Sequence, residues 1–194
     1  MRDLRTALVA VLVLTVTLGL AYPLAMTGAA QVAFPGRAGG SMVESGGKVV
    51  GSRLIGQDFA KHPGYFQSRP SVTGYAPAAT AFNNQGPNQQ ELARRLRESV
   101  RRYLRRERPF TPGLTAARIP SDAVTTSASG VDPDISEADA RIQADRVAAE
   151  RDLPLPRVLA LVDDHASRPF LGLAGPRSVN VLELNLALDR EVPR

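Results

Sequence analysis

"TTSASGVDPDIS" (residues 125–136) combines the residue types of a metal site with the sequence pattern of a helix start. Acidic and hydroxyl side chains stand at alternate positions, as the first ligands of a calcium loop do: Asp132, Asp134 and Ser136. The calcium template then requires glycine at its sixth position and glutamate at its twelfth, whereas this chain has Glu137 and Gln143 there. The pattern therefore favours a structural role over a metal site.

The same stretch has the signals of a helix start. Ser136 is followed three residues later by Asp139, close to a capping box, and Ile135 occupies the position of a hydrophobic staple. Acidic residues in the first turn complement the helix dipole. We therefore predict a helix over residues 137–152, with Ile142 and several alanines as its small-volume packing face.

Downstream of that helix, the sequence predicts a second helix and a strand. Pro154 and Pro156 should end the first helix, and a short helix is predicted over 157–166. In "SVNVLELNLALD" (178–189) four leucines share one face at strand spacing: Leu182, Leu184, Leu186 and Leu188. Residues 178–189 are therefore predicted to form a strand, with Asn185 on its opposite, polar face.

Upstream lies an arginine-rich helix, predicted over residues 91–108 with Asn88 as its cap. Its apolar residues repeat at helical spacing: Leu92, Leu96, Val100, Tyr103 and Leu104. Pairs at i,i+4 spacing should support this helix and the next one: Glu91–Arg95, Glu98–Arg102, Glu137–Arg141 and Arg146–Glu150. The arginine run indicates a solvated face, with a membrane-surface or protein-contact role as the alternative.

The remaining segments add strands and loops. Residues 48–57 are predicted to form a bent strand or hairpin, and residues 62–88 a long loop. Residues 119–130 are predicted to run from a short strand into a polar turn, in which Ser127 and Ser129 bond backbone groups. Helices and strands thus mix without a visible repeat, and the predicted fold class is α+β or open α/β.

The N-terminal region predicts a membrane anchor. "ALVAVLVLTVTLGLAYPLAM" (7–26) is nearly all apolar, long enough to span a bilayer and longer than the core of a signal peptide. We predict a single retained transmembrane helix over 7–29, after a short N-terminal segment, 1–6. An irregular connection over 30–47 would then lead into a soluble domain, 48–194.

The charges around this helix predict its orientation. Arg2, Arg5 and the terminal amine precede the helix, whereas only Arg37 follows it closely. The N-terminus is therefore expected in the cytoplasm and the soluble domain outside the inner membrane. In that place the net charge of +5 is not expected to serve nucleic-acid binding.

The residue chemistry does not predict an enzyme. The sequence has no cysteine, which excludes disulfides, thiolate metal sites and cysteine nucleophiles. His62 and His165 are the only histidines, and neither stands in a ligand pattern. "SGGKV" (45–49) fails the phosphate-loop template, because Met42 stands at its first glycine position and Val49 at its Ser/Thr position. From the residues alone, the chain is expected to be a membrane-anchored outer domain that contacts a partner, and the sequence does not identify that partner.

Five blocks in order resemble the C subunit of Kdp-type potassium-transporting ATPases, and the resemblance covers almost the whole chain. They are "GKVVGSRLIGQDF" (47–59), "YFQSRPS" (65–71), "TTSASGVDPDIS" (125–136), "RVAAERDL" (146–153) and "VNVLELNLALD" (179–189). The single N-terminal membrane helix also fits that family. Two positions depart from the family pattern: Asp134 stands where histidine is usual, and "FNNQGPN" (82–88) replaces a Gly-Ser-Asn type of loop.

The resemblance implies a non-catalytic subunit of an ATP-driven, high-affinity potassium importer. Its partners would be a potassium channel-like subunit, a P-type ATPase subunit and a small single-helix peptide. The chain would have no cofactor of its own, while the complex would use ATP, magnesium and potassium. The family is described as a catalytic chaperone that raises the ATPase subunit's affinity for nucleotide. A stand-alone, membrane-anchored outer binding or sensor domain is the alternative.

The blocks also supply a candidate docking or structural motif. Its residues are Tyr65, Phe66, Arg69, Ser127, Ser129, Asp132, Asn180 and Asn185. Tyr65 and Phe66 would supply rigid contact area, and Arg69 would bond carbonyls or a carboxylate in fork geometry. Asp132 is expected to accept backbone N–H bonds near the helix start. The alternative is that these residues only stabilise the fold.

Overall fold

The structure, a computed structural model, describes residues 1–79, 81, 84–167, 175 and 177–191. The chain divides into two compact units, Met1–Val43 and Glu44–Arg194.

The first unit is dominated by one long apolar helix. It consists of α1 (Arg2–Leu14), a π-helical segment (Thr15–Ala21) and α2 (Tyr22–Ala33). The 32 residues have a mean hydropathy of 2.2 in their most apolar window, and none of that window is buried. Within the described part of the chain this is the one helix long and apolar enough to cross a membrane, and it extends the predicted span of 7–29 at both ends.

Pro23 accounts for the π-helical segment. Proline has no N–H to donate, and its ring conflicts with the carbonyl four residues earlier, here that of Gly19. A π-type turn before the proline relieves that conflict, since it shifts the hydrogen-bond register by one residue. A short helix, α3 (Pro35–Ala38), follows the long helix.

The described residues form two separate two-stranded sheets, of which the first begins two residues before the second unit does. β1 (Met42–Ser45) and β2 (Lys48–Ser52) form a hairpin whose turn, Gly46–Gly47, has positive φ at both residues. β3 (Asp134–Ser136) pairs antiparallel with β4 (Ser178–Asn180). The described fold is therefore α+β with a single N-terminal anchor helix, and the open α/β alternative is wrong.

Among the residues that the structure describes, four α-helices complete the second unit: α4 (Gln90–Glu107), α5 (Glu137–Arg151), α6 (Leu155–His165) and α7 (Val181–Glu191). Two single 3-10 turns, Ala116–Arg118 and Ser121–Ala123, lie between α4 and β3. The main core joins α5, α6, α7 and the β3–β4 pair, with buried residues such as Phe66, Ile135 and Leu184. A smaller core of Tyr103, Leu114 and Ala123 lies under α4.

The helix-start prediction at residue 136 is confirmed. The Ser136 hydroxyl accepts the Asp139 N–H at 3.1 Å, and Ile135 is 1 % exposed in the main core. The helices predicted over 91–108 and 157–166 are also confirmed within two residues. The described part of 62–88 is loop, as predicted, while residues 82 and 83 of "FNNQGPN" lie outside the described residues.

The strand predicted over 178–189 is wrong beyond residue 180. Asn180 ends β4 and accepts the Glu183 N–H at 3.1 Å, so it caps α7. The buried positions then recur at helical spacing, at Val181, Leu184 and Leu188. The alternating leucines match the spacing of a strand. A helix that is buried on most of its surface also accommodates leucine at every second position, so this pattern does not distinguish the two.

Four smaller predictions are also wrong. The strand predicted within 119–130 is absent from that segment, which is fully described and forms a 3-10 turn at Ser121–Ala123. Gln89, not Asn88, precedes α4, and its side chain makes no cap bond. The connection predicted to be irregular contains α3 and β1. Arg146 does not pair with Glu150, because Arg146 is buried and bonds elsewhere.

Candidate docking surface

The residues 63–67, "PGYFQ", begin in a turn and cross over α5 and α7, and we call them the crossing segment. Phe66 and Gln67 are 0 % and 4 % exposed, although they belong to no helix or strand. Buried backbone groups need hydrogen-bond partners. The crossing segment receives them from side chains of the two helices.

Two amide side chains provide the backbone hydrogen bonds that a neighbouring strand would otherwise provide. The Asn185 amide accepts the Phe66 N–H at 2.8 Å and donates to the Phe66 carbonyl at 3.0 Å. The Gln143 amide accepts the Gln67 N–H at 2.8 Å and donates to the Gln67 carbonyl at 3.2 Å. Primary amides suit this task because each offers one acceptor and two donors in one plane.

Two arginines of α5 bind the other carbonyls of the crossing segment. Arg146 donates to the carbonyls of Pro63 and Tyr65, the latter at 3.0 Å, and Arg151 donates to Gly64 at 2.8 Å. All five carbonyls of the segment thus accept a side-chain bond from α5 or α7. These bonds hold the segment through its backbone.

Arg146 is itself charge-compensated by α4. Its guanidinium is 3.1 Å from the Glu107 carboxylate, and both side chains are almost completely buried. Arg106 approaches the same carboxylate at 2.5 Å. Burial lowers the pKa of Arg146, and the charge of Glu107 opposes that shift. This pair ties the last turn of α4 to α5 and to the crossing segment.

Tyr65 lies at the edge of the crossing segment in a polar cluster. Its hydroxyl donates to the Asp189 carboxylate at 2.9 Å, and the Arg151 guanidinium lies 4.4 Å from its ring centroid. Arg151 also pairs with Asp189 at 2.8 Å. Burial, and next the bond to Asp189, raise the pKa of Tyr65. The ring is therefore fixed in place but half-exposed.

Arg69 joins the next segment to the turn that precedes β3. Its Nη1 donates to Asp132 at 2.8 Å and its Nη2 to the Thr125 hydroxyl at 3.5 Å, so Arg69 bonds a carboxylate, as predicted, but with one nitrogen and not in fork geometry. Asp132 accepts the Asp134 N–H at 3.1 Å, as predicted. Tyr75 donates to the Arg69 carbonyl at 2.6 Å, and burial raises the pKa of Tyr75 to about 12.

The serines of the turn bond backbone groups, as predicted. Ser127 accepts the Gly130 N–H at 3.0 Å, and Ser129 accepts the Val131 N–H at 3.2 Å. The chain at Gly56 approaches this turn so closely that a Cβ there would lie 2.4 Å from the Asp132 carbonyl oxygen. Only glycine fits at that position without a shift of the backbone.

The two carboxylates of the calcium-like pattern bond to the chain itself. Asp132 is bound as described above, and Asp134 accepts bonds from Ser178 at 3.0 Å and Asn180 at 3.2 Å. Within the described ranges, no group of three His, Cys, Asp or Glu side chains is placed to hold a metal ion. The arrangement therefore gives both carboxylates a structural use.

A buried acid links α4 to α5. Asp139 is 2 % exposed and accepts bonds from the Tyr103 hydroxyl at 2.6 Å and from Gln143 at 3.1 Å. Burial raises the pKa of Asp139 to about 7, with the hydrogen bonds acting in the opposite direction. Burial and the nearby Asp139 charge raise the pKa of Tyr103. Asp139 can therefore change its protonation near neutral pH.

A groove of about 670 Å³ opens beside the Arg69–Asp132 pair. Its wall includes charges of both signs: Arg69, Asp122, Asp132, Asp134 and Arg177. The Arg69 and Asp132 side chains remain 22 % and 29 % exposed, so the groove presents fixed, alternating charge to solvent. Such a surface suits recognition of a polar protein surface more than reaction chemistry.

The eight candidate residues fall into two groups. Phe66, Ser127 and Asn185 are buried and hold the fold, whereas part of Tyr65, Arg69, Ser129, Asp132 and Asn180 reaches solvent. Sequence reasoning missed the residues that bind the crossing segment, Gln143, Arg146 and Arg151. A usable signal was present, since polar Asp139, Gln143 and Arg146 recur at four- and three-residue spacing among the buried alanines of α5.

Comparisons with known proteins agree with one another. The family described as "KdpC: K+-transporting ATPase, c chain" matches residues 4–190. A protein of Caulobacter vibrioides named "Potassium-transporting ATPase KdpC subunit" is 52 % identical over 193 residues, covering 98 % of this chain and 94 % of that protein. A protein of the same name from Rhodopseudomonas palustris is 47 % identical, and the match covers 100 % of both chains. A third, from Polaromonas naphthalenivorans, is 50 % identical, and the match covers 98 % of this chain and 95 % of that protein.

Proposed function

Because this chain belongs to the KdpC family, the C chain of K+-transporting ATPases, we propose that it is a non-catalytic accessory subunit of an ATP-driven, high-affinity potassium importer. Its partners are a potassium channel-like subunit, a P-type ATPase subunit and a small single-helix peptide. The family match over residues 4–190 is the observation that carries this proposal.

The chain sits in the inner membrane with its N-terminus in the cytoplasm. The apolar helix Arg2–Ala33 supplies the anchor, and Arg2 and Arg5 favour the cytoplasmic side for its first turn. The domain that follows is then outside. There it caps the channel-like subunit, and it supports potassium uptake by assembling with that subunit rather than by catalysing a reaction.

In this arrangement the chain needs no cofactor, while the complex uses ATP, magnesium and potassium. A domain outside the membrane cannot touch nucleotide in the cytoplasm. An effect of this subunit on ATP affinity therefore passes through its partners, as a coupling between docking and the conformation of the ATPase subunit.

The groove beside Arg69 and Asp132 is the docking surface we favour. Its backbone is held in place by the turn serines, the crossing segment and the close approach at Gly56. A surface that is already ordered loses less conformational entropy on binding. Tyr65 adds a fixed aromatic ring, of the kind enriched at protein interfaces, at the edge of the crossing segment.

Co-purification tests the proposal directly. A tagged full-length chain, extracted in mild detergent from cells grown at limiting potassium, should bring with it a channel-like and a P-type ATPase subunit. Deleting the gene should abolish high-affinity potassium uptake. Recovery only as a free monomer, with uptake unchanged after deletion, would leave the stand-alone outer binding or sensor domain as the better account.

Substitutions at the groove test the docking surface. Arg69→Ala and Asp132→Ala should each weaken co-purification, while the loss of stability stays within about 1 kcal/mol because the pair is partly exposed. The control is Arg141→Ala, which removes a partly exposed arginine of α5 that pairs with Glu137 and Asp163. A fall in melting temperature large enough to explain the lost assembly would assign Arg69 and Asp132 to the fold alone.

A further inference from the structure

The net charge of the chain is concentrated in α4 and the residue after it. Residues 90–108 contain eight arginines and three glutamates, a net charge of +5. The whole chain has 24 basic and 19 acidic residues, so the remainder holds sixteen of each and is neutral. The entire excess charge of the protein therefore lies on one helix.

Five of these arginines form one stripe along α4, which we call the basic stripe: Arg94, Arg97, Arg101, Arg105 and Arg108. Their spacing of three and four residues keeps them on one side of the helix over roughly 21 Å. All five are exposed. The opposite side of α4 carries Tyr103, which is buried in the smaller core. The fold thus directs the stripe to solvent.

The middle of the basic stripe is not neutralised within the protein. Among the residues that the structure describes, no carboxylate lies within ion-pair distance of Arg97, Arg101 or Arg105, whereas Arg94 pairs with Glu91 at 2.8 Å. Adjacent like charges repel and cost stability unless an external anion compensates them. A stripe of this length fits an extended anionic partner better than a single small ion.

We propose that the basic stripe binds the phosphate headgroups of an anionic lipid surface. The guanidinium group recognises phosphate with two parallel bonds, and exposed arginines near a charged bilayer are attracted to it. Only eight residues, 34–41, separate the end of the apolar helix from β1, which limits their span to about 29 Å. This tether gives the stripe a high effective concentration at the bilayer in either orientation of the chain.

The test uses the full chain, without partner subunits, in nanodiscs. Because the sequence has no cysteine, Ala93→Cys gives a unique site for a donor dye one turn from Arg97. An acceptor dye on a lipid headgroup then reports the approach of α4 to the bilayer. Energy transfer should be higher in phosphatidylglycerol than in phosphatidylcholine. It should fall as salt rises from about 0.1 M to about 1 M, which shortens the screening length from about 10 Å to about 3 Å.

A triple variant removes the unpaired charges without harming the helix. Arg97→Gln, Arg101→Gln and Arg105→Gln together should lower the ratio of surface-bound to released domain by about 100-fold, since one basic side chain changes that ratio roughly five-fold. The matched control removes three exposed charges elsewhere, Lys61→Gln, Arg118→Gln and Arg190→Gln, and should keep most of the transfer.

Equal transfer in both lipids, or equal losses in the triple variant and its control, would overturn the proposal and leave an acidic protein surface as the occupant. Neither result would bear on membership of the transporter complex, because the partner subunits are absent from the experiment. Glutamine is a good helix former, and an unchanged unfolding midpoint of the triple variant verifies that α4 is intact.

Discussion

Asn185 and Gln143 show how single side chains allow a loop to be buried. Each amide bonds both backbone groups of one residue of the crossing segment, at Phe66 and Gln67. A loop without such partners would have to remain at the surface, because water would be its only source of hydrogen bonds. Phe66 can therefore fill the main core even though it belongs to no regular element.

Replacing Asn185 by leucine is expected to destabilise the protein strongly. The Phe66 N–H and carbonyl would be left buried and unsatisfied, at a cost of about 1–3 kcal/mol for each group. The measurement is thermal unfolding of the full chain in detergent. Asn180→Ala serves as the comparison and should cost only about 1–2 kcal/mol, since it removes a helix cap and a bond to Asp134 at a partly exposed position. Equal effects would contradict the role assigned to Asn185.

Asp139 makes stability depend on pH. Its pKa is raised from 3.8 to about 7, mainly by burial, so the folded chain binds this proton more tightly than the unfolded chain. Its contribution to stability is complete below about pH 4 and is lost as pH rises through about 7, with a slope of at most about 1.4 kcal/mol per pH unit.

Asp139→Asn removes this titration. The unfolding free energy of the variant relative to the parent should therefore increase between about pH 4 and pH 7 and stay level above that range. Denaturation at a series of pH values measures it, with exposed Asp164→Asn as the control. Parallel curves for parent and Asp139→Asn would show that Asp139 titrates normally.

At the scale of elements, buried polar groups join α4 to α5. Tyr103 bonds Asp139, and Glu107 bonds Arg146, which in turn holds the crossing segment. A buried ion pair is costly to break on one side, because the remaining charge is left without compensation.

Arg146→Met should therefore cost about 3–5 kcal/mol, as the loss of one partner of a buried pair does. Glu107→Gln should cost less, because the amide oxygen of the substituted side chain can still accept a bond, and the Arg146 charge keeps its carbonyl partners. The double variant should be less destabilised than the sum of the two single variants. Chemical unfolding of all four proteins forms a double-mutant cycle, and strict additivity would mean that the two residues do not interact.

At the scale of the whole molecule, the side of the membrane that holds the domain has the largest consequence for function. The absence of cysteine makes a clean test possible. Ser45→Cys, exposed at the end of β1, should react with an impermeant thiol reagent in spheroplasts. Asp3→Cys, at the other end of the helix, should react only after lysis. The reverse pattern would place the domain in the cytoplasm and make direct contact with nucleotide possible again.

Local patterns were sufficient for several features of this protein. The long apolar helix follows from hydropathy, the start of α5 from Ser136 and Asp139, and α4 from its apolar spacing. Each of these signals is contained within a short stretch of neighbouring residues, so it could be recognised without knowledge of a distant partner. The order of five sequence blocks also indicated the family that the comparisons confirm.

Only the tertiary structure decided how the other residues are used. The bond between Phe66 and Asn185 joins positions 119 residues apart, and no local pattern encodes that pairing. The same holds for Glu107 and Arg146, which form a buried ion pair although they are 39 residues apart. In the sequence, each looks like an ordinary charged residue of a helix. In α7, the leucines fitted a strand or a helix equally well. Two features select the helix. Asn180 accepts the Glu183 N–H at the start of the helix, and packing against α6 buries Leu184 and Leu188 together.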